Sequence, residues 1–539
     1  MNGAELFERA ARERPGDPGF LYFDTAIGFG EAAEMARGLA ASLRDQLGLR
    51  PGDRVALMLQ NVPQFPIAVH AVWLCGGVIT SVNPMNKEAE LRHQLGDSGA
   101  RLMICLESLF GVVASALEGT AVEHVVTVSE LDLLDEAPAA LAGHERVACP
   151  GGIPFSELLE GDAAGFAAAD VSADSPALLT YTSGTTGVPK GAINSHRAVV
   201  HNARAMTDWG TLGPGDVTVA MAPLFHITGL VCHMATARAS QTPLLLLYRF
   251  EPGEILRLIE RWRGSYVIGP LTAFIAMLDH PTFGERDLSS LTRTASGGAP
   301  VYAAVVERWE RATGSYLHNT YGLTESAAPS HMVPFGSRSP GDPESGALSI
   351  GVPIADTESR LVSVECGGEV PPGGEGEILT RGPGVTPGYW NRPEESAATI
   401  VDGWLHTGDV GKRDADGWFY LVDRIKDMIN VSGYKVWPRE VEDVLYEHPG
   451  VAEAAVVGAP DSYCGETTVA YVVLREGAKA SGEEIIAHCR KLLAVYKAPR
   501  RVVFIAEIPK TLTGKALRRE LRAREHADQR LLGSRAKTV

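Results

Sequence analysis

The sequence predicts an α/β protein: a large N-terminal domain of helix-covered sheets, a β-rich subdomain, and a small α+β domain at the C-terminal end. Three observations predict it. Up to roughly residue 340, short apolar runs alternate with amphipathic helical stretches, the rhythm of parallel strands joined by helices. Past about residue 350, Gly and Pro become dense and only strand-length pieces separate them. Beyond Trp437 the pattern changes again, to a Pro-led helix, two apolar strands and a second helix. At 539 residues the chain exceeds what a single core organises, so more than one domain is expected.

The elements follow in order. "MNGAELFERAARERPG" has helical apolar spacing and mixed charge, so it reads as an amphipathic helix and not as a signal peptide. "FGEAAEMARGLAASLRDQLG" is a second helix, stopped by Gly48. "DRVALMLQ" reads as a strand, "FPIAVHAVWLCGGVITSVNP" as a helix running into a strand, and "ARLMICLES" and "EHVVTVSE" as further strands. The same alternation continues through "VTVAMAPLFH", "TPLLLLYRF", "GSYVIGPLTAFIAML" and "LTRTASGGAP". "GEVPPGGEGEILTRGPGVTPGYWNRPEES" carries the turn-rich β texture. In "WPREVEDVLYEHPGV", Pro438 stands where a first helical turn tolerates it. "AEAAVVGAP", "TTVAYVVL" and "SGEEIIAHCRKLLAVY" give two strands and a helix, and "EHADQRLLGSRAKTV" reads as a tail.

Composition narrows the function. Apolar residues make up 45% and charged residues 21%, an ordinary globular balance, but the formal charge is −17. Nucleic acid and anionic membrane surfaces call for basic footprints, so neither is an expected partner. The seven Cys are widely spaced without a C-x-x-C pair, which suggests reduced thiols instead of a disulfide frame or zinc site. No apolar run is long enough to cross a bilayer, and a cytoplasmic location is expected.

The most informative stretch is "LLTYTSGTTGVPKGAINSH", Leu178 to His196. It is not the nucleotide-triphosphatase loop, because Lys190 follows Pro189 and not Gly. The ingredients of an anion cradle are nevertheless present. Thr182, Ser183, Thr185 and Thr186 offer hydroxyls, Gly184 and Gly187 let backbone N–H groups approach closely, and Lys190 adds a charge. The plainer alternative is a Ser/Thr/Gly linker, but a linker seldom carries Pro-Lys-Gly straight into an apolar segment. That following segment reads as helix-like.

This stretch resembles the signature loop of the adenylate-forming enzymes, the superfamily of acyl-CoA synthetases, 4-coumarate–CoA ligases, adenylation domains and luciferase. Four more of that family's motifs follow in order: "SGGAP", "NTYGLTES", "LHTGDVG" with "LVDRIKD", and "PKTLTGKALRREL". The resemblance spans nearly the whole chain and implies two sheets in a large domain of residues 1–424, with its β-rich subdomain at about 345–424. It implies a mobile C-terminal domain of residues 425–539, hinged near Lys426. It also implies residue roles. The Gly-rich loop wraps the phosphates of ATP. Gly298, Ala299 and Pro300 line the adenine and acyl pockets, with Asn319, Tyr321 and Gly322 among the nucleotide contacts. Tyr321 packs on adenine, Thr324 meets the α-phosphate and Glu325 holds Mg²⁺. Asp409 reads the ribose beside Arg424, Lys515 is the C-terminal catalytic lysine, and Gly433 lines the pantetheine tunnel.

The implied activity is ligation of a carboxylic acid to CoA through an acyl-adenylate, with release of pyrophosphate and AMP. In "APLFHITGLV", Phe225 precedes His226, where amino-acid-activating relatives carry an Asp. A buried Asp would need the substrate ammonium as its partner, so its absence argues against amino-acid substrates. His226 is expected beside the substrate carboxylate. Acetate-activating relatives place a Trp at the position of Gly322, so a larger acid is expected, a medium- to long-chain fatty acid first. Aryl or alicyclic acids, a carrier protein in place of CoA, and a homodimer stay open. A luciferase-like oxygenase or a non-catalytic AMP-binding protein would share several of these motifs.

Overall fold

The N-terminal helix Gly3–Glu13 is closed by a capping box in which Asn2 and Glu5 satisfy each other's backbone N–H groups. Its buried face carries Leu6, Phe7 and Ala10. In the computed structural model, residues 1–182, 189–343, 345–432, 434–461, 465–511 and 516–525 are described. They divide into two compact units: Met1–Arg338 with Pro353–Glu358 and Thr380–Leu405, and Ser339–Val352 with Ser359–Leu379 and His406–Val539.

The first unit holds two sheets. One runs in the order Ile153–Pro154, His124–Val128, Leu102–Leu106, Arg54–Met58, Val78–Ser81, Pro176–Thr182, Lys190–Ser195. Its ladders are parallel until the last pair, where Lys190–Ser195 turns back antiparallel on Pro176–Thr182. In the other sheet, Leu317–Leu323, Arg293–Gly297, Tyr266–Gly269, Thr218–Val219, Leu244–Leu246 and Pro18–Tyr22 form a parallel centre. Ala328–Met332 and Thr25–Gly28 are antiparallel neighbours. Both sheets are apolar on the inside, as parallel strands covered by helices must be. Val55, Leu57, Ile79, Ile104 and Leu179 are fully buried in the first.

The residues after the Gly-rich segment depart from the sequence reading. Lys190–Ser195 is a strand, not a helix, and the helix His196–Trp209 starts only after it. Ser195 caps that helix by accepting the Ala198 N–H. Backbone pairing to Pro176–Thr182 overrides the weak local preference of "AINS".

The second unit carries the β-rich texture and the C-terminal fold. Trp404–Arg413 and Phe419–Arg424 form an antiparallel hairpin with Asp409 opposite Arg424. A further sheet orders Tyr434–Val436, Ile429–Val431, Gly465–Leu474 and Val451–Asp461, with Arg501–Phe504 parallel to Gly465–Leu474. Against it pack Pro438–Tyr446, with Pro at the first turn, and Gly482–Leu492, closed by a Ser481–Glu484 capping box. Their core joins Ile429, Val441, Leu445, Val456, Ile485 and Cys489. Each such side chain stabilises the unit by about 1.5–3 kcal/mol on burial. No helix among the described residues is long and apolar enough to cross a membrane.

Several buried histidines in the first unit carry a pH consequence. Burial pushes His196 and His233 down to about 4 and His331 to about 3, from 6.5. Between those values the unfolded chain binds more protons than the fold, so stability falls as pH drops from about 6.5 towards 4. The expected result is a melting temperature that falls steeply across that window. Calorimetry in buffers of differing ionisation heat should show close to three protons taken up on unfolding near pH 5 from these groups. A melting temperature flat between pH 6.5 and 4.5 would refute it.

Candidate active site

The site residues of the first unit gather at strand ends. Thr182 ends one strand and Lys190 begins the next, and the two are paired in register. Ser183, Gly184, Thr185, Thr186 and Gly187 lie outside the described residues. Tyr181, just before them, is anchored by its hydroxyl to Asp97 at 2.7 Å. In the other sheet, Arg293–Gly297 leads into Gly298, Ala299 and Pro300, and its parallel neighbour Leu317–Leu323 leads into Thr324 and Glu325. Asn319 and Tyr321 lie within that second strand and are buried. His226 follows the strand Thr218–Val219 of the same sheet. The carboxyl ends of parallel strands are where open α/β sheets bind ligands.

The turn bearing Glu325 is held under strain. A single 3₁₀ turn, Thr324–Ser326, is followed by two alanines with positive φ, Ala327 at 54° and Ala328 at 85°. Side chains other than Gly rarely adopt this region, and it persists where surroundings over-determine it. Here the surroundings are two asparagines. Asn202 Nδ2 lies within 3.2 Å of the carbonyls of Ser326, Ala327 and Pro329. Asn194 Nδ2 donates to the Thr324 carbonyl at 2.9 Å. Gly322 is fixed by the same turn: a Cβ there would stand 2.1 Å from the Ala328 carbonyl oxygen. The glycine therefore has a backbone reason in this chain.

Two further groups surround Glu325 and Lys190. The Tyr389 hydroxyl donates to Glu325 Oε1 at 2.7 Å, and the Thr386 N–H donates to the Glu325 carbonyl at 2.7 Å. The Lys190 ammonium lies 5.3 Å from the centre of the Tyr389 ring and 4.0 Å from Glu395. None of Asn194, Asn202 and Tyr389 stood out in the sequence. "PGYWN" looked like one turn among many, although an aromatic inside a Gly/Pro run was the available signal.

His226 is neutral. Burial pushes it down to about 4. Its Nδ1 meets both the Thr228 N–H, at 3.3 Å, and the Thr228 hydroxyl, at 3.2 Å. The chain then enters the wide turn Gly229–Ala235, a π-helix of the kind that often marks functional sites. Leu230 and Cys232 of this turn are buried.

In the second unit, Arg424 Nε sits 3.1 Å from the buried Asp409 carboxylate, across the hairpin. Gly408, at φ 70°, lets the turn before Asp409 form, and its N–H donates to Glu377. Lys426 follows, its ammonium pressed down to about 8 by desolvation and then by Arg424. Gly433 and Lys515 lie outside the described residues.

The donor set bears on a metal. Among the described residues, no group of three His, Cys, Asp or Glu side chains could hold an ion. Glu325 offers one carboxylate. Mg²⁺ is characteristically bound by one or two carboxylates plus substrate phosphates, so the set fits an ion that arrives with a nucleotide.

Known proteins align with this arrangement. The chain is 38% identical over 533 residues to the long-chain-fatty-acid–CoA ligase of Salmonella typhimurium, covering 96% of this chain and 93% of that one. It is 36% identical over 518 residues to a feruloyl-CoA synthase of Amycolatopsis, covering 96% and 97%. A crystal structure of an anthranilate–CoA ligase in complex with anthranoyl-AMP superposes with a TM-score of 0.87, at 28% identity and 98% coverage of both chains. The AMP-binding enzyme family matches residues 7–390, and the C-terminal domain of AMP-binding enzymes matches residues 440–515. The chain belongs to the AMP-binding enzyme family, the adenylate-forming superfamily whose motifs it carries.

Proposed function

We propose that the protein is an AMP-forming acid–CoA ligase acting on medium- to long-chain fatty acids. The observation that carries the reading is that Tyr389 brings Lys190 and Glu325 together, at the strand ends of a chain that aligns almost end to end with CoA ligases. In the first half-reaction a carboxylate oxygen attacks the α-phosphorus of ATP. The new C(O)O–P bond forms, the α–β phosphoanhydride breaks and pyrophosphate leaves. In the second, the CoA sulfur attacks the acyl carbon, its proton passes to solvent or base, and AMP leaves.

Each step asks something of named residues. Ser183, Gly184, Thr185, Thr186 and Gly187, flanked by Thr182 and Lys190, are proposed to cradle the β- and γ-phosphates. Tyr321 is proposed to pack on adenine, Asn319 and residues 298–300 to line its pocket, and Asp409 with Arg424 to take the ribose hydroxyls. Negative charge builds on the α-phosphate as two anions meet, so compensation belongs there. Thr324 and Lys515 would supply it. Glu325 would hold Mg²⁺, which when bound offsets phosphate charge. The neutral His226 would orient the acid's carboxylate by a hydrogen bond from its ring N–H, leaving the carboxylate ionised for the attack. For the second half-reaction, Lys426 is proposed as the hinge and Gly433 as part of the pantetheine passage. A hinge lets one domain serve two half-reactions in turn.

The acid is set by apolar burial. Each methylene is worth about 0.8 kcal/mol, so kcat/KM should rise about fourfold per methylene until the pocket is full. The test measures AMP and pyrophosphate release from ATP and CoA with acetate, C6 to C18 fatty acids, benzoate, 4-coumarate and cyclohexanecarboxylate. A rising aliphatic series supports the fatty-acid reading. A flat aliphatic series with turnover of 4-coumarate or benzoate supports an aryl acid instead, the reading favoured by the similarity to feruloyl- and anthranilate–CoA ligases. Pyrophosphate release indifferent to CoA moves the acceptor to a carrier protein.

A further inference from the structure

The segment from Gly384 to Arg392 is stitched on one side to the strand Lys190–Ser195 and on the other to the Glu325 turn. Ile193 N–H donates to the Gly388 carbonyl at 3.1 Å, Trp390 N–H to the Gly191 carbonyl at 2.8 Å, and Thr386 Oγ1 to the Ile193 carbonyl at 2.6 Å. Thr386 N–H then reaches the Glu325 carbonyl at 2.7 Å. Ser396 Oγ accepts the Tyr389 N–H at 2.8 Å, which fixes where the Tyr389 side chain starts.

That side chain touches both charged groups. Its hydroxyl, a single donor, holds Glu325 Oε1 at 2.7 Å, and its ring faces the Lys190 ammonium at 5.3 Å. A glutamate on a one-turn helix has three side-chain torsions, and ordering them costs conformational entropy. A charge-assisted bond to one oxygen removes most of that freedom in advance and leaves the other oxygen for a ligand. Among the described residues, no hydrogen bond is found for Oε2.

The geometry points to Tyr389 as the positioning residue of the Mg²⁺-nucleotide site: its hydroxyl presets the Glu325 carboxylate for the ion, and its ring seats Lys190. The inference rests on the reading of Glu325 as the Mg²⁺ ligand. Thr386 supports it by fixing the backbone of the same residue.

The test uses the full chain with Tyr389→Phe, which keeps the ring, and Glu325→Gln as a reference. Two quantities are read: the Mg²⁺ concentration for half-maximal pyrophosphate release, and the Mn²⁺ affinity of the protein–ATP complex by electron paramagnetic resonance. Loss of a hydrogen bond to a charged group predicts, for Tyr389→Phe, about a tenfold rise in that Mg²⁺ concentration and about a tenfold fall in the Mn²⁺ affinity. Added Mg²⁺ should recover the rate, the KM for the acid should stay put, and the melting temperature should shift by no more than about 2 °C. A lower melting temperature with unchanged metal dependence would make Tyr389 a packing residue and overturn the inference. If Glu325→Gln weakens metal binding and Tyr389→Phe does not, the positioning role fails while the metal reading stands. If Glu325→Gln itself leaves metal dependence untouched, the metal reading fails and takes the inference with it.

Discussion

Replacing Lys515 with alanine slows acyl-adenylate formation by about 10²–10³, the scale set by removing one group that stabilises developing charge. The argument starts from the substrates. A carboxylate and a triphosphate are both anions, and their approach concentrates charge on the α-phosphate oxygens. The protein is acidic overall, with a formal charge of −17, so no general positive field offsets that charge. It has to come from a cation delivered to the spot. The motif "TGKALRREL" supplies a lysine, and the family match extends to residue 515. Thiolysis of a preformed adenylate has a different demand, since the phosphate leaves as AMP without gaining a new bond to an anion. Single-turnover pyrophosphate release should therefore collapse in the variant, while conversion of supplied acyl-adenylate and CoA should fall much less. Pyrophosphate release within threefold of the parent rate would remove Lys515 from the chemistry.

The second large effect is structural. Arg518 is 14% exposed and stands among three carboxylates. Its Nη2 meets Glu442 Oε2 at 2.6 Å and its Nε meets Oε1 at 3.2 Å, a two-pronged contact. Its Nη1 lies 3.6 Å from Asp423 and 3.3 Å from Asp427. Glu442 also accepts the Val456 N–H, and Asp423 accepts the Arg439 N–H. Arg522 stays 3.5 Å from Asp427, but removing Arg518 takes away the cation that Glu442 pairs with, and breaking a buried pair in this way costs about 3–5 kcal/mol. Arg518→Leu is thus expected to lower the unfolding midpoint of the second unit by roughly 10 °C or more. Lysine should not rescue it, because an ammonium cannot make the two-pronged contact. Adding Glu442→Leu should recover part of the loss, since matched removal no longer leaves that carboxylate unpaired. A midpoint shift below about 2 °C for Arg518→Leu would show that the cluster is not a stabilising unit.

The boundary of what the sequence could reveal runs along the distinction between local and long-range causes. Periodicity showed the helices Gly3–Glu13, Phe29–Asp45 and Gly482–Leu492, because each buries one face and carries its own start or stop signal. The candidate residues at strand ends were picked out because their motifs resemble those of the adenylate-forming enzymes, and their residue types suit the phosphate roles proposed for them. The strand Lys190–Ser195 was misread, since only its partner Pro176–Thr182 makes it a strand. Tyr389 and Asn202 were invisible for the same reason: each acts on residues more than sixty positions away. The left-handed pair Ala327–Ala328 gave no sign either, because alanine has no preference for that conformation. Gly322 was read as an open door to the acid pocket, and the approach of the Ala328 carbonyl gives it a backbone reason as well.

The division of the chain also sets an order of assembly during synthesis. The first unit has received all its residues once Leu405 is made. The second draws on two earlier segments but keeps most of its chain for the end, and Arg518 is among the last residues of its described part. At about 5–20 residues per second, roughly 6–23 s separate Leu405 from Arg518. During most of that time Asp423, Asp427 and Glu442 have been made and the arginine that joins them has not. Until it arrives they are better off in water than in a core, so the ribosome, not the local sequence, decides when the second unit can lock.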